Sequence, residues 1–206
     1  MDAPAARPLR ADAARNAERI IRAARDAFAQ SGTDVSLEEI ARRAGVGVAT
    51  LYRRFPSKDD LIRSIVEWRY AEQVEPVMAA ALADVDPWHG MVATLDAALT
   101  VAAEERGIIK ASRDPGQLVG GILNRFFPEL ATIVRRGQAA GQIRADLTPA
   151  DLPPLVYMLV STLRLTAPGC ADWRRYLALL LDALRPSSAS PLPGDSTQAV
   201  GDHAQR

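Results

Sequence analysis

Residues 36–58, SLEEIARRAGVGVATLYRRFPSK, constrain this chain more than any other stretch. Ser36 and Glu39 form an S-x-x-E capping pattern at a helix start, and Leu37, Ile40 and Ala41 give that helix one apolar face. Arg42 and Arg43 suit the negative end of its dipole, Gly45 supplies a left-handed stop, and Val46–Gly47 complete a turn. A second helix, about Val48–Phe55, turns only Leu51 and Phe55 inward; Val48, Ala49, Thr50, Tyr52, Arg53 and Arg54 face outward or sideways. Pro56 stops it, because the residue before a proline resists helical angles. Ser57 caps a third helix with Asp59 and Asp60 in its first turn. A helix of under three turns is marginal alone, so the second must be held in place by its neighbours.

Upstream, Ala17, Ile20, Ile21, Ala24 and Phe28 make the apolar stripe of a helix over roughly 13–31, ended by Gly32. Three helices with one stripe each form a minimal trihelical core. A hairpin that binds nothing explains neither the truncated helix nor its outward Thr50, Tyr52, Arg53 and Arg54. A short helix propped by two others is the device that enters the major groove of DNA.

Charge supports this reading through its distribution. The whole chain balances 25 basic against 25 acidic side chains, which excludes a bulk polycation. Between Arg7 and Lys58, however, there are eleven Lys or Arg against six Asp or Glu, and from Ser64 onward thirteen against sixteen. A basic head on an acidic body suits phosphate binding at one end.

Here the residues carry a specific likeness. The stretch from Asn16 to Ile65 resembles the DNA-binding domain of the tetracycline-repressor (TetR) family of bacterial regulators. The matching residues are Ile20–Ile21, Ala24, Phe28 and Gly32 of the first helix; Ile40–Ala41 and Ala44–Gly45–Val46 at the turn; and Thr50–Leu51–Tyr52, Phe55, Ser57–Lys58 and Leu61. RRGQAAGQIRADLTPADLP and WRRYLALLLDALR are similar to C-terminal regions of some actinobacterial members.

The DNA-contacting roles divide by chemistry. Lys58, at a helix N-terminus, is expected to meet phosphate with charge plus dipole. The resemblance makes Tyr52 a phosphate-binding tyrosine. Ser36 contributes to phosphate unless its oxygen is used as a cap, and Thr50 reaches phosphate or a base edge. Val48 and Ala49 can touch thymine methyls, Arg53 can bind guanine bidentately, and Arg54 is expected on phosphate. Arg10 and Arg15 belong either to an arm along the DNA or to a solvated tail. Two departures from common family patterns stand out. Gly47 replaces a capping serine, and Glu38 occupies a position some members use for a basic base contact. Glutamate cannot read guanine; it can accept from cytosine, or face solvent.

Beyond Lys58 the pattern is helical, with no alternating β-pattern of convincing length, so the expected class is all-α. Residues 58–83 read as a helix that Pro76 kinks or restarts. Asp86–Pro87 opens a helix to about 105, and helical sequence over 117–140 is interrupted near Pro128 and ended by Gly141. Thr148–Pro149–Ala150–Asp151 starts a helix over 153–166, broken at Pro168–Gly169, and a last helix covers 171–184. The expected domains are a flexible tail 1–12, a helix-turn-helix domain 13–66, a ligand-sensing and dimerisation domain 67–186, and a disordered tail 187–206.

The last two helices are apolar over a wide arc, which predicts a homodimer through Leu155, Leu159, Tyr176, Leu177, Leu180, Leu181 and Leu184. Two-fold symmetry also doubles a weak half-site contact. The resemblance implies a pocket for a small apolar or amphipathic effector, with Trp68, Trp88, Met91, Leu95, Leu123, Phe126, Phe127, Tyr157 and Met158 as candidate lining. Gly120–Gly121 within a helix costs about 1 kcal/mol per glycine against alanine and permits close approach or looseness.

An enzyme is not expected: His89 and His203 lack believable partners, and no metal spacing, phosphate loop or nucleophile motif occurs. Neither cofactor nor metal is expected. The lone Cys170 forbids an internal disulfide and reads as a core-filling thiol. Apolar runs fall short of a membrane span and no signal-peptide pattern begins the chain, so no membrane partner is expected and cytoplasm is the expected compartment. The expected function is a ligand-responsive repressor that binds a palindromic operator in double-stranded DNA. The alternative is an all-α ligand-binding or scaffold protein that does not act on DNA.

Overall fold

The Ala- and Arg-rich sequence that precedes the first apolar stripe is itself helix-forming, and α1 spans Ala6–Ser31. Pro8 is tolerated there because the N–H groups of a first turn have no helical acceptor. This corrects the expected tail 1–12, of which residues 6–12 are helical, and puts Arg10 on a helix rather than an arm. The computed structural model describes residues 6–165, 173–188 and 190–193, with the side chains of 6–14, 164–165 and 188 excepted. Pro168–Gly169, Cys170, His203 and most of the expected C-terminal tail lie outside the described residues.

The remaining helices are α2 (Leu37–Ala44), α3 (Val48–Arg54), α4 (Lys58–Gln73), α5 (Glu75–Ala83), α6 (Pro87–Glu104), α7 (Arg106–Lys110), α8 (Pro115–Ala139), α9 (Leu152–Leu165) and α10 (Trp173–Ala183). The fold is all-α: a helix-turn-helix domain at the N-terminus, followed by a helical C-terminal domain, with no strand among the described residues.

The chain packs as two compact units, Met1–Pro76 with Ala97–Phe126, and Val77–Asp96 with Phe127–Arg206. The first extends beyond the expected boundary at 66/67, and polar links explain why. Glu105 is 1% exposed, and Arg25 Nε of α1 and Arg69 Nε of α4 donate to its Oε1 at 2.7 and 3.0 Å. A buried carboxylate is costly unless paired and hydrogen-bonded, so this one ties α1, α4 and the α6–α7 junction together. Asp59 Oδ1 likewise accepts from Ser112 Oγ and Arg113 N, both at 2.9 Å, tying the start of α4 to the segment after α7. The trihelical core beside these links buries Ile20, Ala24, Phe28, Ile40, Ala41, Leu51, Phe55, Leu61 and Ile65.

Pro76, which ends the N-terminal segment of the first unit, sits in the first turn of α5 and so opens a helix rather than kinking one. Arg136 closes the other end, its Nη1 donating to Ala81 O at 3.0 Å and Leu82 O at 2.8 Å. α5 and α6 approach closely at Gly90, where an added Cβ would stand 3.0 Å from Ala81 Cβ. Asp86 caps α6, its Oδ1 accepting from Trp88 N at 3.0 Å and His89 N at 3.3 Å. The interruption expected near Pro128 does not occur: α8 is continuous through it. The proline removes one hydrogen bond, while burial of Leu130, Ala131, Ile133 and Val134 beyond it favours keeping the helix. Gly120 and Gly121 mark no close approach, since an added Cβ would meet nothing within 4 Å at either.

α9 and α10 contact each other, and Leu152, Val156, Leu159 and Leu163 of α9, Trp173, Leu177 and Leu181 of α10 and Leu184 just after it are buried within the single chain. Leu159, Leu177, Leu181 and Leu184 are therefore core rather than candidate interface. The arc was wide because each helix has two apolar strips, one of them spent internally. The outer strip exposes Tyr157, Met158, Tyr176 and Leu179, with Leu155 and Leu180 half-buried.

Candidate nucleic-acid interface

The turn between α2 and α3 is built as its residues demand. Gly45 takes φ 64° and ψ 38°, its N–H reaching the Ala41 and Arg42 carbonyls, and Val46 N donates to Ala41 O at 3.0 Å. Two further carbonyls are paired from outside the turn. Arg19 Nη2 of α1 donates to Ala44 O at 2.8 Å and Gly45 O at 2.9 Å, which fixes the turn against α1. This role was not legible in the sequence; the only signal was that Arg19 precedes the buried Ile20.

Ser36 caps α2, accepting from Glu39 N at 3.2 Å. The reciprocal half of the capping box is absent, because Glu39 accepts instead from Arg42 Nε at 2.8 Å and Arg43 Nε at 2.8 Å. Those two arginines hold the Glu39 carboxyl down at a pKa of about 2. With its oxygen accepting as a cap, Ser36 matches the condition under which a phosphate role recedes.

α3 begins at Gly47 without a side-chain cap and ends at Phe55. Leu51 and Phe55 are its anchors, 0% and 3% exposed. On the opposite face Val48 and Tyr52 are each 41% exposed, Ala49, Arg53 and Arg54 are exposed, and Thr50 is half-buried. The Arg54 guanidinium lies 5.9 Å from the Phe55 ring. This seven-residue helix thus leaves Val48 and Tyr52 exposed beside Arg53 and Arg54 on one side while Leu51 and Phe55 hold the other.

Two groups have partners the sequence did not indicate. Tyr52 donates its hydroxyl proton to Glu38 Oε1 at 2.8 Å, linking α3 to α2. That bond raises the phenol's pKa and, after Glu38's own backbone N–H, lowers the carboxyl's. Lys58 places its ammonium 5.7 Å from the Phe28 ring. The helix start beside it is already capped, since Ser57 Oγ accepts from Asp60 N at 3.1 Å and Asp60 Oδ2 accepts from Ser57 N at 3.0 Å. Lys58 thus brings charge to this end of α4, where the N–H of Asp60 is already occupied.

The nine effector candidates divide between the units: Trp68, Leu123 and Phe126 in the first, and Trp88, Met91, Leu95, Phe127, Tyr157 and Met158 in the second. Met91, Leu95 and Phe126 are buried. Trp68 lies under Arg22 at 5.3 Å and Trp88 under Arg185 at 3.4 Å, so both rings are half-buried by cations of their own unit. Tyr157 and Met158, 50% and 57% exposed, lie on the outer face of α9 and are not buried lining. Two surface hollows, of about 230 and 220 Å³, lie near Arg144 and include none of the nine. Among the described residues no three His, Cys, Asp or Glu are grouped to hold a metal, and no helix is long and apolar enough to cross a membrane.

Comparison with known proteins agrees with this geometry. Residues 20–65 match the family model described as bacterial regulatory proteins, tetR family. A crystal structure of the TetR transcription regulatory protein from Mycobacterium vanbaalenii is 32% identical with a TM-score of 0.63, over 86% of this chain and 99% of that one. The HTH-type transcriptional regulatory protein RaaS of Mycobacterium tuberculosis is 27% identical over 133 residues, 64% of this chain and 61% of the relative. An HTH-type transcriptional regulator of Staphylococcus aureus (strain USA300) is 37% identical over 60 residues, 29% of this chain and 32% of its own. The chain thus spans about three fifths of the length of the first of these curated relatives and about a third of the second. The likeness to the Mycobacterium vanbaalenii regulator runs through nearly all of that protein, and the helix-turn-helix residues fall inside the matched segment: the chain belongs to the TetR family of bacterial transcriptional regulators.

Proposed function

We propose that this protein is a ligand-responsive repressor that binds a palindromic operator in double-stranded DNA as a homodimer and is released by a small apolar or amphipathic effector. The observation that carries the reading is the outer face of α3, where Val48, Ala49, Tyr52, Arg53 and Arg54 are exposed on a helix held by Leu51 and Phe55. In this reading Arg53 contacts guanine, Val48 and Ala49 contact thymine methyls, and Thr50, Arg54 and Lys58 meet backbone phosphate. Ser36 remains a weaker phosphate candidate because its cap bond uses the oxygen.

The outer face of α9 and α10 supports self-association. Tyr157 and Met158 on α9 and Tyr176 and Leu179 on α10 are exposed large apolar side chains, and a second copy is the partner that gives a half-site reader its symmetry. Functionally, residues 13–66 read DNA and residues 67–186 sense and dimerise. Trp88, Met91, Leu95 and Phe127 are proposed effector contacts within the second unit, and Trp68, Leu123 and Phe126 within the first. Glu105 and Asp59 give a physical route for coupling, since movement of the 105–113 segment is felt by α1 and α4 through hydrogen-bonded carboxylates. Coupling of about 1–3 kcal/mol is enough for release.

The test is a mobility shift with the chain's own upstream DNA. Binding that weakens as salt rises, and weakens again with an effector found by a thermal-shift screen of lipophilic metabolites, is expected. A protein that is dimeric yet moves no duplex at low salt would be a binding or scaffold protein instead.

A further inference from the structure

Tyr52 has one hydroxyl proton, and it is given to Glu38 Oε1 at 2.8 Å across the gap between α3 and α2. While this bond holds, the phenol presents only acceptor lone pairs to its surroundings and has nothing to donate to a phosphate oxygen. The bond also fixes an exposed carboxylate beside the recognition helix, within a region whose net charge is basic. A carboxylate so placed repels phosphate and the N7 and O6 acceptors of guanine, while it accepts readily from the exocyclic amino group of cytosine. Its own backbone N–H, the Tyr52 hydroxyl and Ser36 already bond this carboxylate, which of about four lone-pair sites leaves room for one more donor, a base amino group. Glu38 also lies in the first turn of α2, where its own backbone N–H and the positive dipole end favour the ionised form.

We propose that Glu38 is a specificity-determining residue that accepts a hydrogen bond from a cytosine amino group in each half-site, with Tyr52 as the positioning residue that aims it. This rests on the DNA-binding reading above. It gives Tyr52 a role in base preference where the resemblance assigned it to phosphate.

Selection from a random duplex pool by the full-length protein separates the two claims. No enriched motif with the unmodified protein would defeat the DNA reading itself. Given a motif, Glu38→Gln keeps the shape and an oxygen for Tyr52 but replaces one acceptor with a donor. It is expected to lose preference for cytosine at one position per half-site by about tenfold or more, leaving other positions unchanged. Tyr52→Phe is expected to relax the same position to a smaller degree, because the carboxylate is still present but no longer held. Thermal unfolding of both variants should match the parent, both side chains being exposed. The proposal is overturned if Glu38→Gln strengthens binding to all sequences alike, which would make the carboxylate only a brake. It is equally overturned if Tyr52→Phe weakens all sequences alike with no change in base preference, which would make the hydroxyl a phosphate donor.

Discussion

The outer face of α3 and the outer face of α9–α10 both expose apolar side chains, and they differ in the charge that accompanies them, basic alone on α3 and of both signs on α10. On α3, Val48 and Tyr52 are interleaved with Arg53 and Arg54. On α9–α10, Tyr157, Met158, Tyr176 and Leu179 are exposed, with Arg175 and Asp182 exposed at helical spacing from Leu179. A surface with cations among apolar groups suits a polyanion with methyl-bearing edges; one with charges of both signs among them suits a second copy of itself. The anchors differ too. α3 is held by two side chains, Leu51 and Phe55, whereas α10 is held by Trp173, Leu177, Leu181 and Leu184.

Salt separates the two faces most strongly. Raising it from about 50 to 200 mM should weaken DNA binding on the order of a thousandfold, by counterion release, while self-association followed by light scattering stays unchanged or strengthens. A shared salt dependence would mean the two faces are not chemically distinct. Next in size is Leu51→Ala, expected to cost ~3 kcal/mol of stability by leaving a cavity under a helix with little other support. Calorimetry checks it, and an unchanged midpoint would mean α3 is held by something else. Met158→Asp combined with Leu179→Asp should leave the melting of the protomer almost untouched, yet weaken dimerisation by roughly 2 kcal/mol or more, read by sedimentation. Arg53→Ala should weaken operator binding about tenfold and relax the base preference at one position, without moving the dimer equilibrium.

The smallest effect is a pH dependence in neither face. His89 Nδ1 lies 2.9 Å from Asp84 Oδ2, and this hydrogen bond raises the imidazole's pKa above its ordinary 6.5 while lowering that of Asp84. A raised folded-state pKa means the contribution to stability is full below 6.5 and is lost as pH rises through the folded value. NMR titration should find His89 above 6.5 in the parent and closer to it in Asp84→Asn. No difference between the two would remove the pair from the account. At the acid end, Glu39, held at about 2, contributes above its ordinary 4.5 and is lost as pH falls toward 2.

The helix-turn-helix was legible because its determinants are local. Gly45, Pro56, Ser57 and the spacing of Leu51 and Phe55 each act within a few residues of chain, so a short window of sequence contains the whole argument. The same locality misled at Pro128, where a residue that breaks isolated helices sits within α8, and at residues 6–12, where the absence of an apolar stripe suggested a tail. The last two helices were misread for a related reason. Apolar arc width counts how much of a helix is covered but not what covers it, so Leu159, Leu177, Leu181 and Leu184 were assigned to a partner when their own protomer buries them.

By itself the sequence determined the helical class, the turn at Gly45 and the short helix after it, since backbone preference and capping are decided by neighbours in the chain. Tertiary structure alone decided that Arg19 holds that turn, that Glu105 joins Arg25 and Arg69, and that Tyr52 gives its proton to Glu38. These pairs lie 14 to 80 residues apart. A charged side chain carries no mark of which distant partner it will meet. That choice is made when burial and packing bring the two together.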